Sequence, residues 1–420
     1  MKNKKIIKYS EKIGLVGVYL FAFSLMISKS GMNLGLGLMI LGSLSFIKNF
    51  NIKEMEIEKK FLILLLILYP VFSFLSPGGV KSSLIALDKT YRYFSLFFIP
   101  LYLNKEKEIL NVISCICFSV IINFINGMKI YSERNWNLKL RYESFGNNLL
   151  DDAHMFAMLS FLILAFIVYC IINKKIKFLI LSIPVYILAL SGLLLSQTRG
   201  AWLSLIGGLG IFIFLCIKNK KIIITLFIGC LLSGAILSKT EYLKNNYYVN
   251  RFKSIKNIND DSPKIRLLMW QGAIYTFKEN IIFGAGRDNS PKYILEYLEK
   301  NNKYDEVNAK WMLKSIAETG NAHNMYFTSI SEEGILSFLL FAFWGMIFFN
   351  EILLLKKLKN KNLYYILIGC ISLTCAFYIT GLTENAWRNI WKTNTFLMGI
   401  SMYLAIKKLE SKNEEKKHSF

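Results

Sequence analysis

Long uninterrupted apolar segments restrict the fold of this chain more than any other feature. A helix needs roughly 20 mostly apolar residues to cross a bilayer. We count about twelve such segments, and we predict an all-α integral membrane protein with about twelve transmembrane helices. The fourth segment is the weakest, because Arg92 lies near its start. The segments are 13–28, 31–47, 61–75, 90–103, 108–126, 153–173, 177–196, 200–217, 221–238, 333–355, 363–380 and 391–406.

The distribution of lysine predicts the orientation of these helices. Short loops rich in Lys and Arg stay on the cytoplasmic side. The lysine-rich segment 1–12 predicts an uncleaved cytoplasmic start, and an even number of spans then places both termini in the cytoplasm. We predict four regions: nine transmembrane helices in 1–238, a large periplasmic loop in 239–332, three further transmembrane helices in 333–406, and a cytoplasmic tail in 407–420.

Arginine and lysine are divided unequally between the two predicted sides. The chain carries 51 Lys and Arg against 28 Asp and Glu, a formal net charge of +23. Such a charge suggests nucleic acid in a soluble protein, but the apolar segments argue against that partner here. The 26 basic residues of the predicted cytoplasmic segments are all lysine. The eight arginines all fall on the predicted outer side: Arg92, Arg134, Arg141, Arg199, Arg251, Arg266, Arg287 and Arg388.

The predicted outer loop shows helical periodicity. Apolar residues recur at spacings of three and four in 264–279, and Pro291 opens a second amphipathic stretch. Proline is favoured in the first turn of a helix, which supports this assignment. A third stretch covers 306–318. We therefore expect a small helical cap on the outer membrane face, whereas a flexible surface loop is the alternative.

Several residues at the predicted outer boundary suit chemistry on a phosphate-bearing substrate. Arg199 precedes a helix, whose free N–H groups favour an anion, and Arg266 opens the first loop helix. His323 and His154 lie at span ends, where a histidine can transfer a proton near neutral pH. Each residue taken alone also fits a structural role, as a lipid-facing arginine, a solvated helix face or an interfacial anchor. Together they indicate a lipid-linked phosphate or pyrophosphate as the substrate.

Motifs for bound metals and nucleotides are missing from the sequence. It contains neither a Walker-type phosphate loop nor an HExxH metal motif. The adjacent pairs Asp151-Asp152 and Asp260-Asp261 fit turns or helix caps. We therefore predict chemistry that uses neither a metal nor a cofactor.

Three stretches, taken in order, resemble the O-antigen ligase family of the O-antigen ligase and polymerase superfamily. They are SQTRGAWLSLIGGL at 196–209, RLLMWQGAIYTFKENIIFGAG at 266–286 and HNMYFTSISEEG at 323–334. The ligase pattern of His, a small polar residue, nine residues and Gly fits His323, Asn324 and Gly334. Ser337 departs from it, because relatives usually have Gly, Thr or Tyr there. A proline that relatives commonly carry before Gly-x-Gly is also missing from 280–284.

The resemblance implies roles for particular residues. His323 would be the catalytic histidine, and Arg199 and Arg266 would bind the donor pyrophosphate. Glu384 stands near the position where relatives often carry an acidic residue. The remaining secondary candidates are Arg141, Arg287 and Asn324.

The resemblance also implies a fold like that of GT-C type glycosyltransferases and a reaction in the bacterial inner membrane, with the active site facing the periplasm. The donor would be an undecaprenyl-pyrophosphate-linked glycan, and the acceptor would be lipid A-core. Membrane lipids would surround the protein. An O-antigen polymerase and a protein O-oligosaccharyltransferase of the same superfamily are alternatives. Polymerases often have two long outer loops, whereas the second-longest one here, 127–152, has only about 26 residues. A multi-span transporter would show repeat symmetry and charges at mid-membrane depth, which the sequence lacks.

Overall fold

The computed structural model describes residues 2–45, 55–137, 140–145, 149–217, 261–301 and 321–418, and these residues contain helices but no strand. Six of the described helices are long and apolar enough to cross a membrane. The α-helices are α1 (Lys2–Ser24), α2 (Lys29–Ser43), α3 (Ile57–Leu75), α4 (Gly79–Thr90), α5 (Ser95–Tyr102), α6 (Glu106–Glu133), α7 (Leu149–Ile172), α8 (Ile176–Leu195), α9 (Arg199–Cys216), α10 (Asp261–Glu279), α11 (Ser290–Lys300), α12 (Met325–Glu333), α13 (Leu336–Lys357), α14 (Lys361–Thr383) and α15 (Ile390–His418).

The predicted apolar segments coincide with helices where the structure describes them, with one exception. The segment 90–103 is interrupted, because a 3-10 turn at Tyr91–Phe94 precedes the short helix α5. The segment 221–238 lies outside the described residues. The six candidate spans are α6, α7 from Leu150, α8, α9, α13 and α14. The chain is thus a helical, multi-pass membrane protein, while twelve spans and a GT-C type fold remain predictions.

The centre of the bundle is formed by α7 and α14. These two are the most buried of the six candidate spans. They pack against each other and against α9, and α7 also packs against α8. Helices that are surrounded by other helices are apolar around their whole circumference. Their charged residues lie near the helix ends, and the start of α7 and the end of α14 both contribute to the site below.

The helices α10 and α11 and the residues around the start of α12 form a second, smaller hydrophobic core. Its buried members are Ile265, Leu268, Met269, Ala273, Ile294, Leu298 and Ala322. The helices predicted at 264–279 and from Pro291 are confirmed, and Pro291 stands at the first turn of α11. The predicted stretch 306–318 lies outside the described residues.

Candidate active site

Asn324 fixes the start of α12 and thereby the position of His323. Its side-chain oxygen accepts hydrogen bonds from the N–H groups of Tyr326 and Phe327 at 2.9 and 3.1 Å, which is the geometry of a helix N-cap. Its amide nitrogen donates to the carbonyl of Leu382 at 3.0 Å. The start of α12 is therefore tied to the end of α14.

A second contact holds Ala322, the residue that precedes His323. The indole N–H of Trp270 donates to the carbonyl of Ala322 at 3.1 Å, and the Trp270 ring stacks on Phe327 with centroids 5.3 Å apart. His323 itself has a φ of +47°, a left-handed conformation that is uncommon outside glycine. Because Trp270 belongs to the same helix as Arg266, these contacts also fix His323 relative to Arg266.

Glu384 joins the histidine and the arginine. One oxygen of its carboxylate lies 3.8 Å from Nδ1 of His323, and the other lies 3.6 Å from the guanidinium of Arg266. The carboxylate is largely buried, whereas the His323 and Arg266 side chains are about one quarter and one third exposed. The acid therefore lies beneath a histidine and an arginine that substrate can reach.

Lys392 and Asp151 extend this cluster inward. The ammonium group of Lys392 lies 3.0 Å from an Asp151 oxygen and 3.9 Å from a Glu384 oxygen. The amide of Asn389 donates to the other Asp151 oxygen at 2.7 Å. Lys392 and Asp151 are both buried. A buried ammonium needs such partners, because desolvation of a charge costs several kcal/mol.

The surrounding charges keep Glu384 ionised. Burial alone favours the neutral form of this carboxyl, but Lys392 and His323 outweigh it and lower the pKa of Glu384 to about 2. A carboxylate fixed beside a histidine can orient the ring and stabilise the imidazolium that forms when the ring accepts a proton. The His323–Glu384 distance exceeds that of a direct hydrogen bond, and catalytic contacts are often longer before substrate binds.

Arg199 opens α9 at the edge of this cluster. A Cβ added at Gly200 would lie 2.3 Å from the hydroxyl of Thr383 and 3.4 Å from the His154 ring. The first turn of α9 therefore lies against the end of α14, next to Glu384. The Arg199 side chain is half-buried.

The remaining candidates lie in three different places. His154 is fully buried, and its Nδ1 lies 3.1 Å from the hydroxyl of Thr380, one turn before Glu384. Arg141 belongs to the segment that pairs with the turn before Arg199, since the N–H of Tyr142 donates to the Leu195 carbonyl at 3.0 Å. Arg287 belongs to a different cluster.

Arg287 is buried against the end of α12. Its guanidinium lies 3.4 Å from Glu332 and 3.4 Å from Glu333. Burial raises the pKa of Glu332 to about 8, although the charge of Arg287 opposes that rise. Arg388 pairs with Asp288 and also approaches Glu332 at 3.5 Å. The arginines predicted for phosphate binding thus divide between a half-exposed site and a buried structural cluster.

The sequence analysis did not identify three members of these clusters, namely Lys392, Asp151 and Arg388. A lysine at the second position of the predicted span 391–406 is a usable signal, because ionisable residues within such segments are uncommon and paired. The sequence analysis assigns Asp151-Asp152 to turns or caps, but the oxygens of Asp152 accept hydrogen bonds from the Asn123 side chain on α6 and from the N–H of Ser144 at 3.0 and 2.9 Å. That assignment also misses the ion pair of Asp151.

Two comparisons with known proteins match part of this chain. A family model described as O-antigen ligase matches residues 184–342, which include Arg199, Arg266 and His323. A Haemophilus influenzae protein described only as uncharacterized is 28% identical over 216 residues, which cover 50% of this chain and 51% of that protein. The chain therefore matches about half the length of this relative.

The fold and the cluster define a multi-pass helical membrane protein with a polar site at the ends of its central helices. The match over 184–342 shows that this segment is similar to the O-antigen ligase family, within the O-antigen ligase and polymerase superfamily. The resemblance predicted from the sequence is confirmed.

Proposed function

We propose that the protein is an O-antigen ligase. It transfers a polysaccharide from undecaprenyl pyrophosphate to a sugar hydroxyl of lipid A-core, at the periplasmic face of the bacterial inner membrane. The grouping of His323, Glu384 and Arg266 within ion-pair distances supports this proposal most strongly. A histidine that can accept a proton would then lie beside an arginine that can bind phosphate, which is what transfer from a pyrophosphate requires.

In the proposed reaction His323 accepts the proton of the acceptor hydroxyl. The hydroxyl oxygen forms a bond to the anomeric carbon as the bond from that carbon to the pyrophosphate oxygen breaks. The electron pair leaves with the pyrophosphate, and Arg199 and Arg266 stabilise the charge that grows there. A single displacement inverts the anomeric centre, and no step needs a metal. Glu384 holds the His323 ring and offsets its positive charge.

Replacement of His323 by alanine tests the base. General bases typically contribute about 10²–10⁴-fold to the rate, and we expect a loss of that size or complete loss of transfer by His323→Ala. Donor binding is expected to persist, because the arginines remain. Transfer is measured with purified protein, lipid-linked donor and acceptor, and donor binding by co-purification of the lipid.

The matched control is His418→Ala, at the far end of α15. It is expected to transfer like the wild type. Full activity of His323→Ala would exclude His323 as the base, and loss of donor binding in that variant would assign it to the binding of pyrophosphate instead.

A deletion strain separates the ligase from the polymerase. Loss of the polysaccharide ladder from lipopolysaccharide, while full-length polymer accumulates on its lipid carrier, is the result expected for a ligase. A single repeat attached to the core would instead identify a polymerase. Normal lipopolysaccharide with loss of glycan from secreted proteins would identify a protein O-oligosaccharyltransferase.

A further inference from the structure

A second pocket lies next to the candidate active site, between α3, the turn Tyr91–Phe94, α13 and the turn Ala386–Arg388. Its lining combines basic side chains with leucines and with the rings of Tyr69, Tyr93, Trp344 and Trp387.

Arg92 is the unusual member of the pocket lining. The residue is only 6% exposed, and its guanidinium donates to the carbonyl of Arg388 at 3.4 Å. Its Nε has no hydrogen-bond partner in the described part of the chain. No carboxylate lies within ion-pair distance of it among the described residues. A buried guanidinium without a counter-charge is costly, so the pocket is suited to an anion.

The other cations of the pocket are already balanced. Arg287 pairs with Glu333, which also lines the pocket, and with Glu332. Lys89 pairs with Asp88. Arg92 is therefore the cation of the pocket lining that has no carboxylate within ion-pair distance among the described residues.

The leucines of the lining lie on the helices α3 and α13. Leu62, Leu65 and Leu66 lie on α3, within the predicted span 61–75, and Leu340 lies on the candidate span α13. Leu62 and Tyr69 are seven positions apart on α3, which corresponds to about 10 Å along a helix. The pocket thus combines an anion-binding end with an apolar channel, which suits an amphiphile with a phosphate headgroup and hydrocarbon chains.

One short segment joins this pocket to the candidate active site. Glu384 and Lys392 belong to the His323 cluster, whereas Trp387 and Thr393 line the pocket. The hydroxyl of Thr393 donates to the carbonyls of Ala386 and Trp387 at 3.0 and 3.1 Å, which holds the segment in shape. A headgroup at Arg92 would therefore lie near the segment that also carries Glu384 and Lys392.

We propose that this pocket binds the phosphate-bearing lipid part of the acceptor, with Arg92 contacting the phosphate and the leucines of α3 and α13 contacting the acyl chains. The identity of the lipid as the acceptor rests on the proposed function, whereas the binding of a phosphate amphiphile does not. Both lipid-linked substrates would then be bound beside the segment 384–393.

Binding is tested by native mass spectrometry of the full-length protein with bisphosphorylated lipid A, with its dephosphorylated form and with phosphatidylglycerol. The wild type is expected to bind lipid A more tightly than the other two. Arg92→Gln is expected to weaken lipid A binding by about tenfold or more, because it removes a charge-assisted contact. Undecaprenyl pyrophosphate binding by the same variant should not change.

Two further variants make the result decisive. Leu66→Trp fills the apolar channel without touching Arg92 and is expected to weaken lipid A binding as well. Arg134→Gln removes a guanidinium that pairs with Glu143 at 2.7 Å on the surface, and it should bind lipid A like the wild type. Unchanged lipid A binding by both Arg92→Gln and Leu66→Trp would overturn the proposal.

Kinetic measurements distinguish a failure of the pocket assignment from a failure of the proposed function. Arg92→Gln should raise the KM for the acceptor about tenfold and leave the KM for the donor unchanged. Equal binding of phosphatidylglycerol and lipid A, with an unchanged acceptor KM, would identify a site for ordinary phospholipid and refute the acceptor assignment. If the wild type performs no transfer, the proposed function fails, while the binding measurements still decide whether the pocket takes a phosphate amphiphile.

Discussion

At the scale of single residues, one carboxylate lies near three basic side chains. Glu384 is 3.6 Å from Arg266, 3.8 Å from His323 and 3.9 Å from Lys392. Lys392 is held from its other side by Asp151. Removal of the Glu384 charge therefore affects the orientation of the proposed base, the arginine and a buried ammonium group together.

Glu384→Gln tests this role. The variant keeps the size of the side chain but loses the charge that would stabilise a protonated His323. We expect a loss of transfer on the order of 10²-fold or more. Purified variant and wild type are compared in the transfer assay, with matched amounts of monodisperse protein. Transfer within a few-fold of the wild type would show that His323 works without this carboxylate.

The same residue gives a pH dependence of stability. The pKa of Glu384 falls from an ordinary value of 4.5 to about 2 in the folded protein, so its contribution is complete above pH 4.5 and is lost as the pH falls to 2. Thermal unfolding of wild type and Glu384→Gln should therefore differ most above pH 4.5, and the two should converge towards pH 2. A constant difference across this range would contradict the low pKa.

Arg266→Lys tests the contact with pyrophosphate. A guanidinium can donate two parallel hydrogen bonds to a phosphate, and an ammonium group cannot. We expect this variant to lose roughly tenfold or more in donor affinity, although the charge beside Glu384 is kept. Donor binding is measured directly, with Lys264→Arg, two residues away on the same helix, as the control. Wild-type affinity in Arg266→Lys would rule out the bidentate contact.

The candidate residues that lie in local motifs, and the buried Glu384, were named from the sequence, whereas the ion pair of Lys392 with Asp151 was not. His323, Arg266 and Arg199 lie in local motifs with recognisable spacing. The partnership of Lys392 with Asp151 depends on how α7 and α15 pack, which no local pattern encodes. Arg287 is of a residue type that often binds phosphate, but its burial against Glu332 and Glu333 is a property of the packed structure.

At the scale of elements, the loop after α10 and the junction between α12 and α13 are joined through the backbone. The N–H groups of Ala285 and Gly286 donate to the carbonyls of Ser331 and Glu332 at 2.8 and 3.0 Å. The N–H of Ile335 donates to the carbonyl of Ile281 at 2.9 Å. This pairing fixes the end of α12, whose start carries His323. It also shows that the loop 280–284 closes without the proline that is common in relatives.

Gly334→Ala tests this junction. Gly334 has a φ of +56°, and a Cβ there would lie 2.5 Å from the N of Gly284 and 2.6 Å from the carbonyl of Ile281. The strained backbone alone costs about 1–3 kcal/mol, so we expect a clearly lower thermal midpoint and reduced transfer. The measurement is thermal unfolding in detergent.

Gly345→Ala is the matched control for that variant. Gly345 lies inside α13, and a Cβ there meets nothing within 4 Å. Alanine favours a helix more than glycine by about 1 kcal/mol, so this control should be as stable as the wild type or more so. Equal midpoints for Gly334→Ala and Gly345→Ala would show that the junction does not need glycine.

At the scale of the whole molecule, the separation of arginine from lysine follows the predicted topology. The described arginines in the His323 site, in the second pocket and in the Glu332 cluster all belong to the predicted outer side. Lysines near the predicted cytoplasmic ends make local contacts instead, as Lys407 does with Glu58 at 2.6 Å. A chain with this arrangement can insert by the positive-inside rule and keep its guanidinium groups for phosphate.

Reporter fusions test the sidedness. A periplasmic phosphatase fused after Asn137 should be active, whereas the same reporter fused after Lys174, beyond α7, should be inactive. Both fusions must be present at similar levels in the membrane. Activity only at the second position would place the 127–152 loop in the cytoplasm. The arginines would then no longer all lie on the outer side.

Most long helices of the bundle were predictable from hydropathy, whereas the break in one of them and the choice of central helices were not. Apolar segments predicted most of the long helices because a membrane-type helix is specified by local composition. The interruption at Tyr91–Phe94 was signalled only by Arg92. Which helices lie at the centre depends on contacts among α7, α9 and α14, and sequence alone gives no ranking of these.

The second hydrophobic core divides the site between two bodies of packed residues. Arg266 and Trp270 are held by the small core of α10 and α11, while Glu384 and Lys392 belong to the bundle. The distance between Arg266 and Glu384 therefore measures how the small core sits on the bundle. A tilt of the small core by a few degrees would move Arg266 away from Glu384, while the hydrogen bond from Asn324 to Leu382 would keep His323 near that carboxylate. The hold on the departing pyrophosphate could then change independently of the pair that transfers the proton.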